Sequence, residues 1–150
     1  MKALPFKYIF FALALIPLVA SAHVDGDKLN GRYTKEKTIK KEFNVNSDAL
    51  LKVDNSYGNL NITSWNENRV VIEVHVKTNG NDEDRVKERL NEINVDFENS
   101  SSMVSARTDF GNRSNSWGWS WGKRKKVSVQ VNYTIKLPVK NSVNLSNDYG

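Results

Sequence analysis

Residues Val53–Trp65 read VDNSYGNLNITSW. Val53 leads into Asn55-Ser56-Tyr57-Gly58, and beyond the glycine Leu60 and Ile62 alternate with Asn59, Asn61 and Thr63. Alternation on both sides of a tetrapeptide rich in turn residues predicts strand, tight turn, strand. The tetrapeptide has a near-copy in the last four residues, Asn147-Asp148-Tyr149-Gly150. Aligned backward from the glycine, Leu51, Val53, Asn55, Tyr57 and Gly58 fall on Val143, Leu145, Asn147, Tyr149 and Gly150. The shared order of apolar, polar and turn positions predicts a repeated β unit. Glycine is expected to supply the positive φ of each turn, and asparagine to bond its own backbone there. The second copy stops at its glycine, so the β-rich region is expected to be incomplete at its C-terminal end.

Outward from this stretch, the strongest pattern upstream is the amino terminus. Lys2 and Lys7 make a short basic start, Tyr8–Val19 is a continuous apolar run, and Ala20-Ser21-Ala22 supplies small residues where a signal peptidase reads. This predicts a Sec-type signal peptide over 1–22, cleaved after Ala22. The run is too short to cross about 30 Å of hydrocarbon, and Pro17 interrupts it. No later segment is apolar enough to span, so no transmembrane segment is expected after cleavage. The expected location is the periplasm, the outer-membrane surface or the extracellular space. Removing Lys2 and Lys7 lowers the formal charge of +5 to +3, a mild excess that gives no reason to expect nucleic acid. The absence of cysteine excludes disulfides, thiolate metal sites, a cysteine nucleophile and a lipidated cysteine.

Residues 23–38 are polar and read as a flexible leader, and the β-rich domain is placed at 39–150. Ile39, Lys41, Phe43 and Val45 alternate within charged surroundings, as in an edge strand. Val70, Ile72, Val74 and Val76 share one strand face, and Val71, Glu73, His75 and Lys77 the other. Residues 82–93 form the one predicted helix after the signal. Asn81 or Asp82 caps it, acids fill its first turn, and Val86, Leu90 and Ile93 make a narrow apolar stripe. Val127, Val129, Val131, Tyr133, Ile135 and Leu137 alternate strictly, and Pro138 ends the strand. The expected fold is mostly β. Antiparallel or meandering strands and one short helix lead into a β-solenoid-like repeat.

The signal peptide, the NSYGNLNITSW unit followed by VVIEVHVK, the short helix, the long VSVQVNYTIKLP strand and the return to SNDYG together resemble a putative-adhesin family of exported bacterial proteins of unknown function, with repetitive β-sheet or β-solenoid domains. The resemblance covers most of residues 39–150. It implies a right-handed stack of β rungs with further turns like that at Tyr149-Gly150, an adhesin-like interaction or structural role, and no catalytic residues. The helix and a tryptophan-rich loop depart from uniform rungs.

That loop, Asp109–Lys126, is the one candidate binding site in the sequence. Trp117, Trp119 and Trp121 are spaced by two and share one face of an extended chain. Gly118 and Gly122 allow close approach, and Lys123, Arg124, Lys125 and Lys126 follow. Such a face stacks on sugar rings, and the basic run attracts anionic envelope polymers. Packing of the tryptophans on the helix or a neighbouring sheet stands beside that reading. The expected partners are envelope polysaccharide or another envelope protein. His75 and His23 lie apart, and Asp82-Glu83-Asp84 lacks the glycine and ligand spacing of a calcium loop. No metal site, cofactor or catalytic constellation is expected. Asn55, Tyr57, Gly58, Asn147, Tyr149 and Gly150 read as structural turn residues.

Overall fold

A computed structural model describes residues 29–111 and 126–150. Eight strands and one helix follow in the order β1 (Tyr33–Asn44), β2 (Leu50–Ser56), β3 (Leu60–Trp65), β4 (Arg69–Gly80), α1 (Glu83–Glu92), β5 (Asn94–Asn99), β6 (Met103–Asp109), β7 (Ser128–Pro138) and β8 (Ser142–Asp148). They form two four-stranded sheets, one ordered β1-β4-β7-β3 and the other β5-β6-β2-β8. Among the described residues neither sheet closes on itself, and one apolar core draws on both.

The alternating faces are buried as the pattern dictates. Val70, Ile72, Val74 and Val76 of β4 and Val131, Tyr133, Ile135 and Leu137 of β7 enter the core. Leu51 and Val53 of β2, with Val104 and Ala106 of β6, meet them from the second sheet. The helix spans the predicted place. Asp82 is its N-cap and accepts a hydrogen bond from the Arg85 amide, while Val86, Leu90 and Ile93 are buried. The helix packs on β1 and β4 and carries the chain from the first sheet to the second.

Three expectations change. β1 begins at Tyr33, inside the stretch expected as leader. The buried Asn79 side chain holds this start, donating to the carbonyls of Gly31 and Tyr33 and accepting from the Gly31 amide. Second, β2 and β3 do not meander side by side, because the turn between them is a corner that sends the strands into different sheets. Third, the sheets are mixed rather than antiparallel. β1–β4, β4–β7 and β5–β6 run antiparallel, but β2–β6, β2–β8 and β3–β7 run parallel. Parallel neighbours need long connections, and here each lies far away in sequence.

Candidate functional site

The two copies of the opening motif meet. β8 lies beside β2, parallel and in register, with Leu51 opposite Val143, Val53 opposite Leu145 and Asn55 opposite Asn147. Residues 92 apart in sequence thus become neighbours across a strand pair. Parallel, in-register pairing stacks like side chains on like, and two ladders result.

The first ladder is polar. Asn55 is 1% exposed. Its amide donates to the Val131 carbonyl at 2.9 Å and to Asn147 Oδ1 at 3.1 Å. Its Oδ1 accepts from Thr108 Oγ1 at 2.9 Å. Thr108 has then spent its proton, so at 2.7 Å the Tyr133 hydroxyl is the donor to Thr108. Burial pushes the Tyr133 phenol up to about 12, which keeps that proton in place. The Asn147 amide continues the line to the Gly58 carbonyl at 2.8 Å. Four strands, β7, β6, β2 and β8, are therefore tied by one directional chain of hydrogen bonds. A buried amide left unpaired would cost roughly 1–3 kcal/mol, and Asn55 avoids that cost by using both its amide hydrogens and its oxygen.

The second ladder is aromatic. Tyr57 and Tyr149 stack with centroids 5.4 Å apart and planes 7° from parallel. Phe110 meets the other side of Tyr57 edge-on at 5.5 Å. Both tyrosines have positive φ, 64° and 60°, whereas Gly58 and Gly150 do not. This reverses the expected division of labour in the turn. The tyrosine carries the left-handed backbone, at a cost of roughly 1–2 kcal/mol. The glycine is needed for closeness instead. A side chain at Gly58 would overlap the Val131 carbonyl, and one at Gly150 would overlap the Gly58 carbonyl and the Asn147 amide. The Tyr57 carbonyl accepts from Val131 N and the Tyr57 amide donates to Asp148 O, so hydrogen bonding between strands continues round the corner.

Phe110 and Thr108 reveal a third copy that reading along the sequence misses. The β2–β6 register places Leu51 opposite Val104 and Val53 opposite Ala106. Beyond it, Thr108 bonds Asn55 and Phe110 meets Tyr57, and by the same count Gly111 corresponds in sequence to Gly58. Val104-Ser-Ala-Arg-Thr-Asp-Phe-Gly111 is thus a degenerate version of the same unit. Its signal was present as apolar-x-apolar-x-Thr-x-Phe-Gly, masked by the exchanges Asn to Thr and Tyr to Phe. In space the copies lie in the order β6, β2, β8, although β2 comes first in the chain.

Other clusters offer less. The Glu36 carboxylate lies 3.1 Å from both Lys77 and His75 on an exposed strand face. The Lys77 ammonium, then the His75 imidazole, hold its pKa below the usual carboxylate range against the opposing effect of burial. Lys37 donates to the Ile93 carbonyl just past the helix end, and burial lowers its pKa. Arg69 and Lys136 each lie over the Trp65 ring, whose indole N–H donates to the Arg69 carbonyl. Among the described residues no three His, Cys, Asp or Glu side chains are grouped to hold a metal ion. A shallow open depression on the outer face of α1 is lined by Asp84, Lys87, Glu88, Asn91 and Glu92. Of the sequence-predicted binding loop, Trp117, Trp119, Trp121, Lys123, Arg124 and Lys125 lie outside the described residues, and Lys126 is exposed. Residues 1–28, which include the predicted signal peptide, also lie outside them.

No protein-family model matches the sequence, and no curated protein matches it. Among solved structures, one similar to this chain is described as a "putative cell adhesion protein" from Clostridium sporogenes ATCC 15579, with 18% sequence identity and a TM-score of 0.36. The alignment covers 75% of this chain and 48% of that one, so the chain spans about half the length of that protein. Likeness at this level carries no functional argument. Among the described residues, no helix is long and apolar enough to cross a membrane.

Proposed function

We propose that this chain is a non-enzymatic, exported envelope protein with an adhesin-like interaction or structural role, whose working part is the stack of repeated strands. The observation that carries this reading is the in-register pairing of the two Asn-x-Tyr-Gly copies, with the Thr108–Gly111 variant on the other side of β2. In this reading the three copies are rungs of a β-solenoid-like stack. Such stacks act by geometry, because each rung repeats the same side chains at the strand spacing and builds a stiff, periodic surface. The basic start, apolar run and Ala20-Ser21-Ala22 of the amino terminus support export. The polar chain through Asn55 supports a structural role, since its hydroxyl and amides are engaged with one another and Tyr133 stays protonated at physiological pH.

Incubating the protein beginning at His23 with isolated bacterial envelope fractions tests this reading. The expected result is saturable retention on envelope polysaccharide or protein without any shortening of the polymers. Release of soluble sugar or peptide products would contradict it, as would retention of the full chain in the cytoplasm on cell fractionation.

A further inference from the structure

Among the described residues both sheets end in open edges, and the four edges differ in how they are protected. β1 carries Lys35, Glu36, Lys37, Lys40, Lys41 and Glu42. β5 carries Asp96 and Glu98, with Asp96 paired to Arg107. Charges of this kind discourage a further strand from pairing. The edges at the other end are bare. β8 has the single charge of Asp148, and β3 has none.

The side chains of β8 are also exposed. Val143 and Leu145 are 50% and 43% exposed, and Tyr149 is 82% exposed. β3 leads directly from β2 into the opposite sheet, but among the described residues no strand stands across from β8 in that way. The Asn55 amide donates twice, to Val131 and to Asn147. The Asn147 amide donates to Gly58 alone among the described residues, leaving its second hydrogen for the next position in the ladder. One face of the Tyr57 ring is covered by Tyr149, whereas the outer face of Tyr149 is open.

We propose that the outer edge of β8 is a docking edge for a polypeptide strand of the same repeat, apolar-x-apolar-x-Asn-x-Tyr-Gly, added parallel and in register. The occupant is named by the interfaces already present. β2 sits on β6, and β8 sits on β2, by one rule: apolar on apolar, amide on amide or hydroxyl, and aromatic on aromatic, and β8 adds Gly150 against the Gly58 carbonyl of β2. Applying the rule once more puts the incoming asparagine oxygen on the free Asn147 amide hydrogen and the incoming tyrosine on Tyr149. The incoming glycine then comes against the Gly150 carbonyl, where a side chain would collide. Backbone hydrogen bonds supply the affinity and the ladder positions the specificity, as in strand addition generally. This inference rests on the stack being the working part of the molecule.

The test uses the full chain and a dye-labelled peptide of its own residues 50–58, LLKVDNSYG, followed by fluorescence anisotropy. Saturable binding is expected, with no binding of a scrambled peptide of the same composition. Tyr149→Ala in the protein, at a surface position that leaves the core intact, is expected to weaken binding about two- to ten-fold by loss of the ring stack. The Asn55→Ala version of the peptide is expected to bind more weakly than the parent. A spin label at the peptide carboxyl terminus should broaden NMR signals of Tyr149 and Gly150 rather than Ser142. Absence of saturable binding, equal binding of the scrambled peptide, or broadening at Ser142 would overturn the proposal. So would two-fold self-association of the chain that Leu145→Lys abolishes, because two β8 edges related by a two-fold axis pair antiparallel and not parallel in register. Retention on envelope fractions without peptide binding would sink this inference and leave the functional reading standing.

Discussion

β2 and β8 carry the same motif in the same register, yet one is enclosed and the other bare. Leu51 and Val53 are 0% and 2% exposed, whereas the residues opposite them, Val143 and Leu145, are about half exposed. Asn55 is buried with its amide and oxygen all bonded, and Asn147 lies at the surface. The difference does not lie in the motif. Among the described residues β2 has β6 on one side and β8 on the other, while β8 has β2 alone. Burial in a stack of this kind is conferred by neighbours, so equal side chains contribute unequally to stability according to their place in the order.

The comparison is most strongly challenged by paired substitutions. Leu51→Ala is expected to destabilise by about 3 kcal/mol, and Val143→Ala by less than about 1 kcal/mol. Urea unfolding midpoints measure both, and equal losses would mean that β8 is covered after all. The next effect is one of pH. With the Tyr133 phenol pushed up to about 12, the unfolded chain loses this proton near pH 10 while the folded protein keeps it. Stability from this group is therefore complete below pH 10 and falls between pH 10 and about 12, by roughly 1.4 kcal/mol per pH unit. In Tyr133→Phe that part of the decline should vanish, and an unchanged alkaline profile would contradict the buried donor. Asn55→Ala is expected to cost about 2 kcal/mol by stranding Thr108 and the Val131 carbonyl, against under about 1 kcal/mol for Asn147→Ala. Smallest is the aromatic pair. Tyr57→Ala, which loses contacts with both Phe110 and Tyr149, should cost about 1 kcal/mol more than Tyr149→Ala by thermal unfolding.

Much of this was legible in the residues. The helix at 82–93, the two long strands at Val70 and Val127, and the charged edge strand declared themselves through period, capping and charge. The alignment of Leu51, Val53 and Asn55 on Val143, Leu145 and Asn147 became the actual register of β2 and β8. What alternation cannot carry is the neighbour. A strand shows one apolar face whether it pairs with the next strand or with one far along the chain, so the corner after Ser56 read equally well as a meander. The same silence hid the exposure of Val143 and Leu145, whose pattern matches that of buried residues. The third copy escaped because its polar and aromatic positions changed identity while keeping their chemistry. Tyrosine in the left-handed region was beyond reach too, since turn chemistry assigns that conformation to glycine. The tryptophan loop, the strongest candidate in the sequence for a binding face, lies almost wholly outside the described residues.

The central claim is that the two copies of the motif lie side by side, parallel and in register. The chain has no cysteine, so introduced pairs report without interference. Lys52 and Asn144 are exposed register partners, and neighbouring strands lie about 4.8 Å apart, within reach of a disulfide. Under mild oxidation Lys52→Cys with Asn144→Cys is expected to form an intramolecular disulfide rapidly, and Lys52→Cys with Asp148→Cys to remain reduced. Rapid closure of the offset pair, or failure of the register pair to close in folded protein, would contradict the stacked repeat.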